Sequence, residues 1–176
     1  DLLDKINRET KCVVQMTLTT YNDDLCRIIE PNVCNTKKRV EVLMKMKERG
    51  IPTIVWLRPI LPYINDTEEN LIAILDACIK ADVKGIICFG MGLTLRDGDR
   101  EYYYDALDRH FPGLKERYIM EYGNAYELPS PNTKKLMSIF ANTCREHNIL
   151  CTPDACFAYL GEFPEKYRQL SLFDID

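Results

Sequence analysis

The feature that most constrains the fold of this chain is a repeated alternation of short apolar runs with amphipathic helical segments. Apolar runs occupy residues 12–19, 51–58 and 84–92, and apolar residues recur at helical spacing in the segments between them, 36–49 and 67–81. The second and third runs are apolar at nearly every position, as is typical of strands covered on both faces. Strands joined by helices at this spacing predict parallel βα units, and hence an α/β fold in which helices flank a parallel sheet.

Residues that commonly begin or end helices support these boundaries. Gly50 follows the first helix and suits the left-handed conformation found just after helix ends. We predict Asp66 as the N-cap of the second helix, with Glu69 completing a capping box. Ser130 and Pro131 predict the start of a later helix, at its N-cap and its first position.

The regular alternation weakens after the third apolar run. Two helical segments are separated by Pro112–Gly113, a third helix follows, and a short strand is predicted over 149–151. We therefore divide the chain into three parts: an α/β part over 1–95, a helical extension over 96–160, and a tail over 161–176.

The composition indicates a globular domain with ample apolar material for a core. The chain has 176 residues, of which 46% are hydrophobic. Its net charge of −4 and pI near 5.3 argue against a surface that grips nucleic acid nonspecifically. We expect no membrane span and no secretory leader, and the eight cysteines favour a reduced, cytoplasmic protein. The helical pattern is already under way at Asp1, which indicates a part of a longer protein.

Polar side chains collect at the carboxyl ends of the predicted strands. Gln15, Thr17 and Thr19 form one face of the first strand, and Arg58 closes the second. Threonine is an ordinary strand residue, but a glutamine in a buried strand needs several hydrogen-bond partners. Ligands of parallel βα folds bind at this edge, so the sequence predicts a site for a polar small molecule carrying a carboxylate and a sugar.

Arg58 and the glycines of the third strand each allow two interpretations. Arg58 either pairs with a carboxylate such as Glu30 or Asp66, or binds an anionic ligand. Gly90-x-Gly92 lacks the further residues of a dinucleotide-binding or phosphate-binding loop. It is better interpreted as backbone that allows a flat ring to lie against the strand end.

Several stretches of the chain resemble the radical S-adenosylmethionine proteins of the spore photoproduct lyase-like group, which are often labelled DNA repair photolyases. The family pattern is a strand with a Ser/Thr-rich end, a leucine followed five residues later by Glu-Pro, a Gly-Ile-Pro strand start, and a Pro-Ile-x-Pro-x-x-Asn-Asp turn. The corresponding residues here are Thr17–Thr20, Leu25 with Glu30-Pro31, Gly50–Pro52 and Pro59–Asp66. The match is good over residues 1–95 and loose beyond them.

The resemblance implies the C-terminal part of a partial (β/α)6 TIM-like barrel. It also implies a lyase-like enzyme that generates a 5′-deoxyadenosyl radical for DNA repair or related nucleic-acid chemistry, with S-adenosylmethionine and a [4Fe–4S] cluster as cofactors. By resemblance, the end of the first strand meets the ribose and methionine, and the turn after the second strand and the backbone of the third border the adenine. The implied cofactor-binding residues are Gln15, Thr17, Thr19, Arg58, Asn65, Phe89, Gly90 and Met91.

The chain departs from the family pattern in two respects. The Cys-x-x-x-Cys-x-x-Cys loop that holds the cluster and the glycine-rich segment that binds the methionyl amine lie upstream in this family, and neither is in this sequence. Tyr63 also stands where the family often has glycine. We therefore expect this chain alone to be inactive and, as a barrel cut between strands, to self-associate through an exposed sheet edge.

Four soft metal ligands, Cys144, His147, Cys151 and Cys156, lie close together in the sequence. Cys144 and His147 would share one face of a helix, so a zinc site or an accessory cluster is geometrically feasible. Their spacing matches no common metal motif, however, and buried cysteines without metal are frequent in proteins. We predict no metal here and keep these four residues as weak candidates.

Four residues of the tail, Gln169, Leu170, Leu172 and Phe173, resemble the peptide with which bacterial DNA-maintenance proteins dock on the sliding clamp. The apolar side chains would fill a pocket while the glutamine amide makes directed hydrogen bonds. The alternative is a tail that packs on its own domain. A docking tail would make the chain an interaction module on a βα scaffold, in a DNA-repair context.

Overall fold

The computed structural model describes residues 1–164, which fold into eight helices and five strands. The helices are α1 Leu2–Glu9, α2 Asp23–Ile29, α3 Thr36–Glu48, α4 Glu68–Lys80, α5 Asp99–His110, α6 Leu114–Tyr122, α7 Thr133–Glu146 and α8 Pro153–Gly161. The strands are β1 Val14–Thr17, β2 Thr53–Trp56, β3 Gly85–Ile87, β4 Gly92–Thr94 and β5 Glu127–Pro129. The clamp-like segment, residues 169–173, lies outside the described residues. No helix within residues 1–164 is both long enough and apolar enough to cross a membrane.

A three-stranded parallel sheet in the order β1-β2-β3 organises the fold. In its register Met16 lies beside Val55, and Val55 beside Ile86. Leu150 continues the sheet beyond β3 through a parallel bridge to Gly85, in the segment where the sequence predicts a short strand. The chain is therefore a mixed α/β protein with a small parallel sheet, as the alternation of strands and helices predicts.

Helices α3, α4 and α7 cover one face of this sheet, and we call that face the helical face. Val55 of β2 packs there with Leu43, Leu75 and Phe140 from the three helices, and all four side chains are buried. Side chains alternate along a strand, so Ile54 points to the opposite face, which only α8 covers among residues 1–164. We call this second face the open face.

A second apolar cluster surrounds the antiparallel pair of β4 and β5. Leu93 and Leu128 from these strands pack with Leu107 of α5 and Tyr118 of α6. The three helices predicted after residue 95 are confirmed as α5, α6 and α7, whereas α8 and the strand β5 were not predicted. Three residues ending in proline are too short to show a strand period in the sequence, which is why β5 was not predicted.

The predicted start of α4 is wrong by one residue. Thr67, not Asp66, is the N-cap, and its hydroxyl accepts a hydrogen bond from the backbone N–H of Asn70 at 3.2 Å. Glu69 therefore does not stand at the position that a capping box requires. Asp66 has a different role, because its carboxylate accepts a 2.5 Å hydrogen bond from the hydroxyl of Ser130.

The predicted start of α7 is wrong by two residues. Asn132 is the N-cap, and Ser130 lies in the turn that precedes the helix. The Ser130 hydroxyl accepts from the backbone N–H of Asn132 at 2.9 Å while it donates to Asp66. Ser130 thus joins the start of α7 to the loop before α4. Helix-capping patterns describe only contacts within a few residues, so they could not predict this one.

Candidate functional site

An exposed aromatic cluster on the open face is the first part of the candidate site. The rings of Trp56, Phe89 and Phe157 lie with their centroids 6.1 to 6.4 Å apart, in tilted and edge-to-face arrangements. Phe89 is 50% exposed and Phe157 44% exposed, although they come from different parts of the chain. Exposed aromatic groups that touch one another are typical of surfaces that bind a partner or a flat ligand.

The polar residues of β1 border this cluster. The Trp56 indole N–H donates to the side-chain oxygen of Gln15 at 2.8 Å, which fixes the orientation of both side chains. Strand alternation places Thr17, which is half-buried, on the same face, while Met16 and Leu18 pack on the helical face. The polar positions of this strand therefore face away from the helical layer, toward the side where Trp56 and Phe89 lie.

The side chain of Thr19 points elsewhere. Thr19 is buried, and its hydroxyl donates to a carboxylate oxygen of Glu30 at 3.0 Å. The Glu30 carboxylate is in turn bound by the guanidinium of Arg39, which also donates to the backbone carbonyl of Thr17 at 3.0 Å. Thr19 thus belongs to a buried network that supports the end of β1, and its hydroxyl is already engaged.

The amide of Asn65 is also engaged within the fold. Its NH2 group donates to the carbonyl of Thr19 at 2.8 Å, and its oxygen accepts from the backbone N–H of Leu61 at 2.5 Å. Asn65 is buried, so these contacts tie the turn after β2 to the end of β1. Its place in the site is that of a support, because a buried amide with both ends bonded has little left to offer a ligand.

Neither of the two carboxylates that the sequence suggested for Arg58 is paired with it. Glu30, one proposed partner, is bound by Arg39, and Asp66, the other, accepts from Ser130. Within residues 1–164 no carboxylate lies within 4.0 Å of the Arg58 guanidinium. Arg58 is half-buried, and its guanidinium has no carboxylate partner among these residues.

A small pocket joins Arg58 to the backbone after β3. Its volume is about 100 Å³, and it is lined by Arg58, Phe89, Gly90, Met91, Gly92, Leu93, Glu127, Leu128, Pro129 and Thr133. Four residues predicted from the sequence, Arg58 and those at 89–91, thus lie together. A pocket of this size is smaller than a nucleoside requires, so such a ligand would also have to lie on the open face.

The two glycines of this pocket serve different purposes. Gly90 has a φ of +112° with open space beside it, so the backbone conformation itself favours glycine. At Gly92 an added Cβ would lie 2.5 Å from the carbonyl oxygen of Leu128. Gly92 therefore permits the close approach of β5, which brings Glu127 into the pocket, a residue that the sequence pattern did not indicate.

The four weak metal candidates do not meet in one place. Cys144 is buried on the helical face, whereas Cys156 is buried on the open face, with the sheet between them. His147 is exposed, and burial raises the pKa of the Cys144 thiol to about 12, which disfavours the thiolate that a metal needs. No group of three or more His, Cys, Asp or Glu side chains in residues 1–164 is arranged to hold a metal ion.

The fold and the site together define a mixed α/β protein with a candidate ligand site at the carboxyl end of a parallel sheet. No family model matches the chain, and no solved structure matches it. Uncharacterized proteins of Mycobacterium tuberculosis and Mycobacterium bovis are 27% identical to it over 124 residues, which is 70% of this chain and 36% of theirs. An uncharacterized protein of Acidianus two-tailed virus is 33% identical over 97 residues, 54% of this chain and 32% of its own. The chain spans about a third of the length of these relatives.

Proposed function

We propose that this chain is the C-terminal part of a radical S-adenosylmethionine enzyme of the spore photoproduct lyase-like group, and that its parallel strands belong to a partial (β/α)6 barrel. The observation that carries the proposal is the open face. In a barrel the helices lie outside, and the face without them lines the interior where ligands bind. Here only α8 covers that face, and beside the buried Ile54 and Ile87 it carries polar and aromatic groups, among them Gln15, Trp56 and Arg58.

The residues at the carboxyl end of the sheet fit part of S-adenosylmethionine. Arg58 would hold its carboxylate, since the guanidinium has no carboxylate partner within the described part of the chain. Phe89 would stack on the adenine, and the backbone at Gly90 and Met91 would meet the edge of the ring. When bound at a reduced cluster, S-adenosylmethionine supplies a 5′-deoxyadenosyl radical that abstracts a hydrogen atom.

The residues of this chain do not fit the iron–sulfur cluster. The sequence has no Cys-x-x-x-Cys-x-x-Cys, and residues 1–164 contain no group of side chains arranged to hold a metal. This chain spans about a third of the length of its relatives. In this proposal the full protein is about as long as these relatives, and the cluster ligands lie in its upstream part. The chain alone would then be inactive. The proposed substrate class is DNA or another nucleic acid.

The test uses the longer protein, with the coding sequence upstream of Asp1 included. The proposal expects that sequence to encode the cysteine triad, and the reconstituted protein to cleave S-adenosylmethionine to 5′-deoxyadenosine and methionine under reducing conditions. Arg58→Gln should raise the concentration of S-adenosylmethionine needed for cleavage, whereas Arg145→Gln, on the exposed surface of α7, should not. An upstream sequence without the triad, or no cleavage by a reconstituted protein, would refute the proposal.

A second candidate function rests on the tail sequence Gln169–Phe173, outside the described residues. We infer from its composition that the chain docks on a bacterial sliding clamp, with Leu172 and Phe173 as the apolar anchors. The inference expects micromolar binding to a purified clamp that is abolished by Leu172→Ala combined with Phe173→Ala. Unchanged binding in this double variant would exclude the tail as the docking element.

A further inference from the structure

A second cavity lies between α2 and α5, apart from the pocket at the end of the sheet. Its volume is about 370 Å³, within the range of small-molecule sites. None of its lining residues belongs to the pocket that contains Arg58. The sequence patterns and the proposed radical chemistry assign it no role.

The floor and walls of this cavity are apolar. Leu61 and Leu107 are buried at its floor, and Ile29 and Ile64 are half-buried beside them. The hydroxyl of Tyr103, a polar group of the half-buried wall, is already bonded to the hydroxyl of Tyr118 at 3.0 Å. A ligand with polar edges, such as a nucleobase or a sugar, would lose its hydrogen bonds to water here without replacing them.

The rim of the cavity carries two arginines. Arg27, Arg109 and His110 are exposed there, and no acidic residue is among the lining residues, although the whole chain has a net charge of −4. Arg27 pairs with Asp24 at the surface, an interaction that water screens strongly. Arg109 uses one N–H for the backbone carbonyl of Asp105, and within residues 1–164 it has no carboxylate partner.

From these two features we propose that the cavity binds an amphiphilic anion, namely a carboxylate with a medium-length apolar body. The apolar body would lie against Leu61 and Leu107, and the carboxylate would stay at the rim with Arg109. Such a ligand gains from apolar burial and from a charge-assisted hydrogen bond, and it leaves no polar group unsatisfied in the floor. The inference is independent of the proposed radical chemistry.

The test compares decanoate with decanol, which has the same apolar body without the charge, by isothermal titration calorimetry on the 176-residue chain. We expect decanoate to bind about tenfold more tightly than decanol, the size of one charge-assisted contact. Arg109→Gln should remove most of this difference. Arg145→Gln is the matched control and should leave the difference unchanged. Arg145 is also an exposed arginine, it lies on α7, and it does not line the cavity.

A second variant tests the location. Ala106→Phe, at a half-buried lining position of α5, should fill the cavity and abolish the binding of both compounds. Circular dichroism melting of each variant shows whether it folds. If Ala106→Phe does not fold, Arg109→Gln still tests the proposal, because Arg109 is exposed and its substitution should not disturb the fold. Equal binding of decanol and decanoate would overturn the proposal. So would decanoate binding unaffected by a folded Ala106→Phe variant, or thymidine monophosphate binding more tightly than decanoate at this cavity.

Discussion

The guanidinium of Arg39 contacts both carboxylate oxygens of Glu30 at 3.0 Å, behind the carboxyl end of β1. Only 7% of the Arg39 side chain and 20% of the Glu30 side chain is exposed, so water screens the pair weakly. Arg39 also donates to the carbonyls of Thr17 and Cys34. This pair holds the loop after β1 in place, and with it the edge of the candidate site.

Removing one member of this pair should destabilise the chain strongly. Arg39→Met keeps an apolar stem but leaves the Glu30 carboxylate without its partner, so we expect the free energy of unfolding to fall by about 3 kcal/mol. Arg27→Met is the control, because the Arg27–Asp24 pair is exposed and contributes little. Urea denaturation measures both. A loss in Arg39→Met no larger than that in Arg27→Met would show that the buried pair is not stabilising.

Asp66 should make the stability depend on pH. Burial raises the pKa of its carboxyl above 3.8, and the hydrogen bond donated by Ser130 opposes that rise only in part. Between 3.8 and the raised value, the folded chain holds a proton that the unfolded chain has lost. Unfolding then releases a proton, so the contribution of Asp66 to stability is present at low pH and is lost as pH rises through the folded pKa.

The measurement for Asp66 is a series of urea denaturations from below pH 3.8 to neutral pH. Asp66→Asn cannot ionise, so we expect its stability relative to the native chain to increase as pH rises through that window. Subtracting the two profiles cancels the titration of all other groups. Profiles that run parallel at every pH would contradict a raised pKa at this position.

A methyl group at Gly92 should disturb the pairing of β4 with β5. Its Cβ would lie 2.5 Å from the Leu128 carbonyl oxygen and 2.9 Å from the Pro129 Cα, and both of these are backbone atoms. We expect Gly92→Ala to lower the free energy of unfolding by about 1 to 3 kcal/mol. Gly161→Ala, at the end of α8 where the Cβ would meet nothing within 4 Å, should be neutral or slightly stabilising. Equal effects at the two glycines would refute the steric account.

The cysteines should differ widely in reactivity toward Ellman's reagent. Cys34 is exposed, whereas burial raises the pKa of both Cys78 and Cys144 to about 12. Since the thiolate is the reactive form, we expect one rapidly labelled thiol in the native chain and no reaction at the two buried ones before unfolding. Cys34→Ser should remove the rapid phase. A rapid phase that persists in this variant would mean that another thiol is accessible.

The edge of the sheet at β1 should promote self-association of this chain. Among the described strands, β1 pairs only with β2. The nearby helix α1 has no buried residue and exposes Leu2, Leu3 and Ile6. Light scattering over a concentration series should show association that weakens in Leu3→Lys combined with Ile6→Lys, but not in Ile72→Lys on α4, a matched exposed position. A monomer at every concentration would contradict this prediction.

Local sequence patterns determined the types of element and their approximate order. The apolar alternation in Val14–Thr17 places Met16 in the core and Gln15 away from it, because side chains of a strand point alternately to its two faces. Helices such as α3 and α4 follow from apolar spacing and from the residues near their ends. These patterns depend only on residues close together in the sequence, so they can be recognised without knowing the tertiary structure.

Tertiary structure alone decided which side chains meet. Asp66 accepts a hydrogen bond from Ser130, 64 residues away, so neither residue is the helix N-cap that the sequence predicted. Glu30 pairs with Arg39 and not with Arg58, and within residues 1–164 Arg58 has no carboxylate partner. Trp56 meets Phe157 only because α8 returns to the open face. Partners so distant in sequence depend on how the layers pack, and the preferences of neighbouring residues hold no information about that packing.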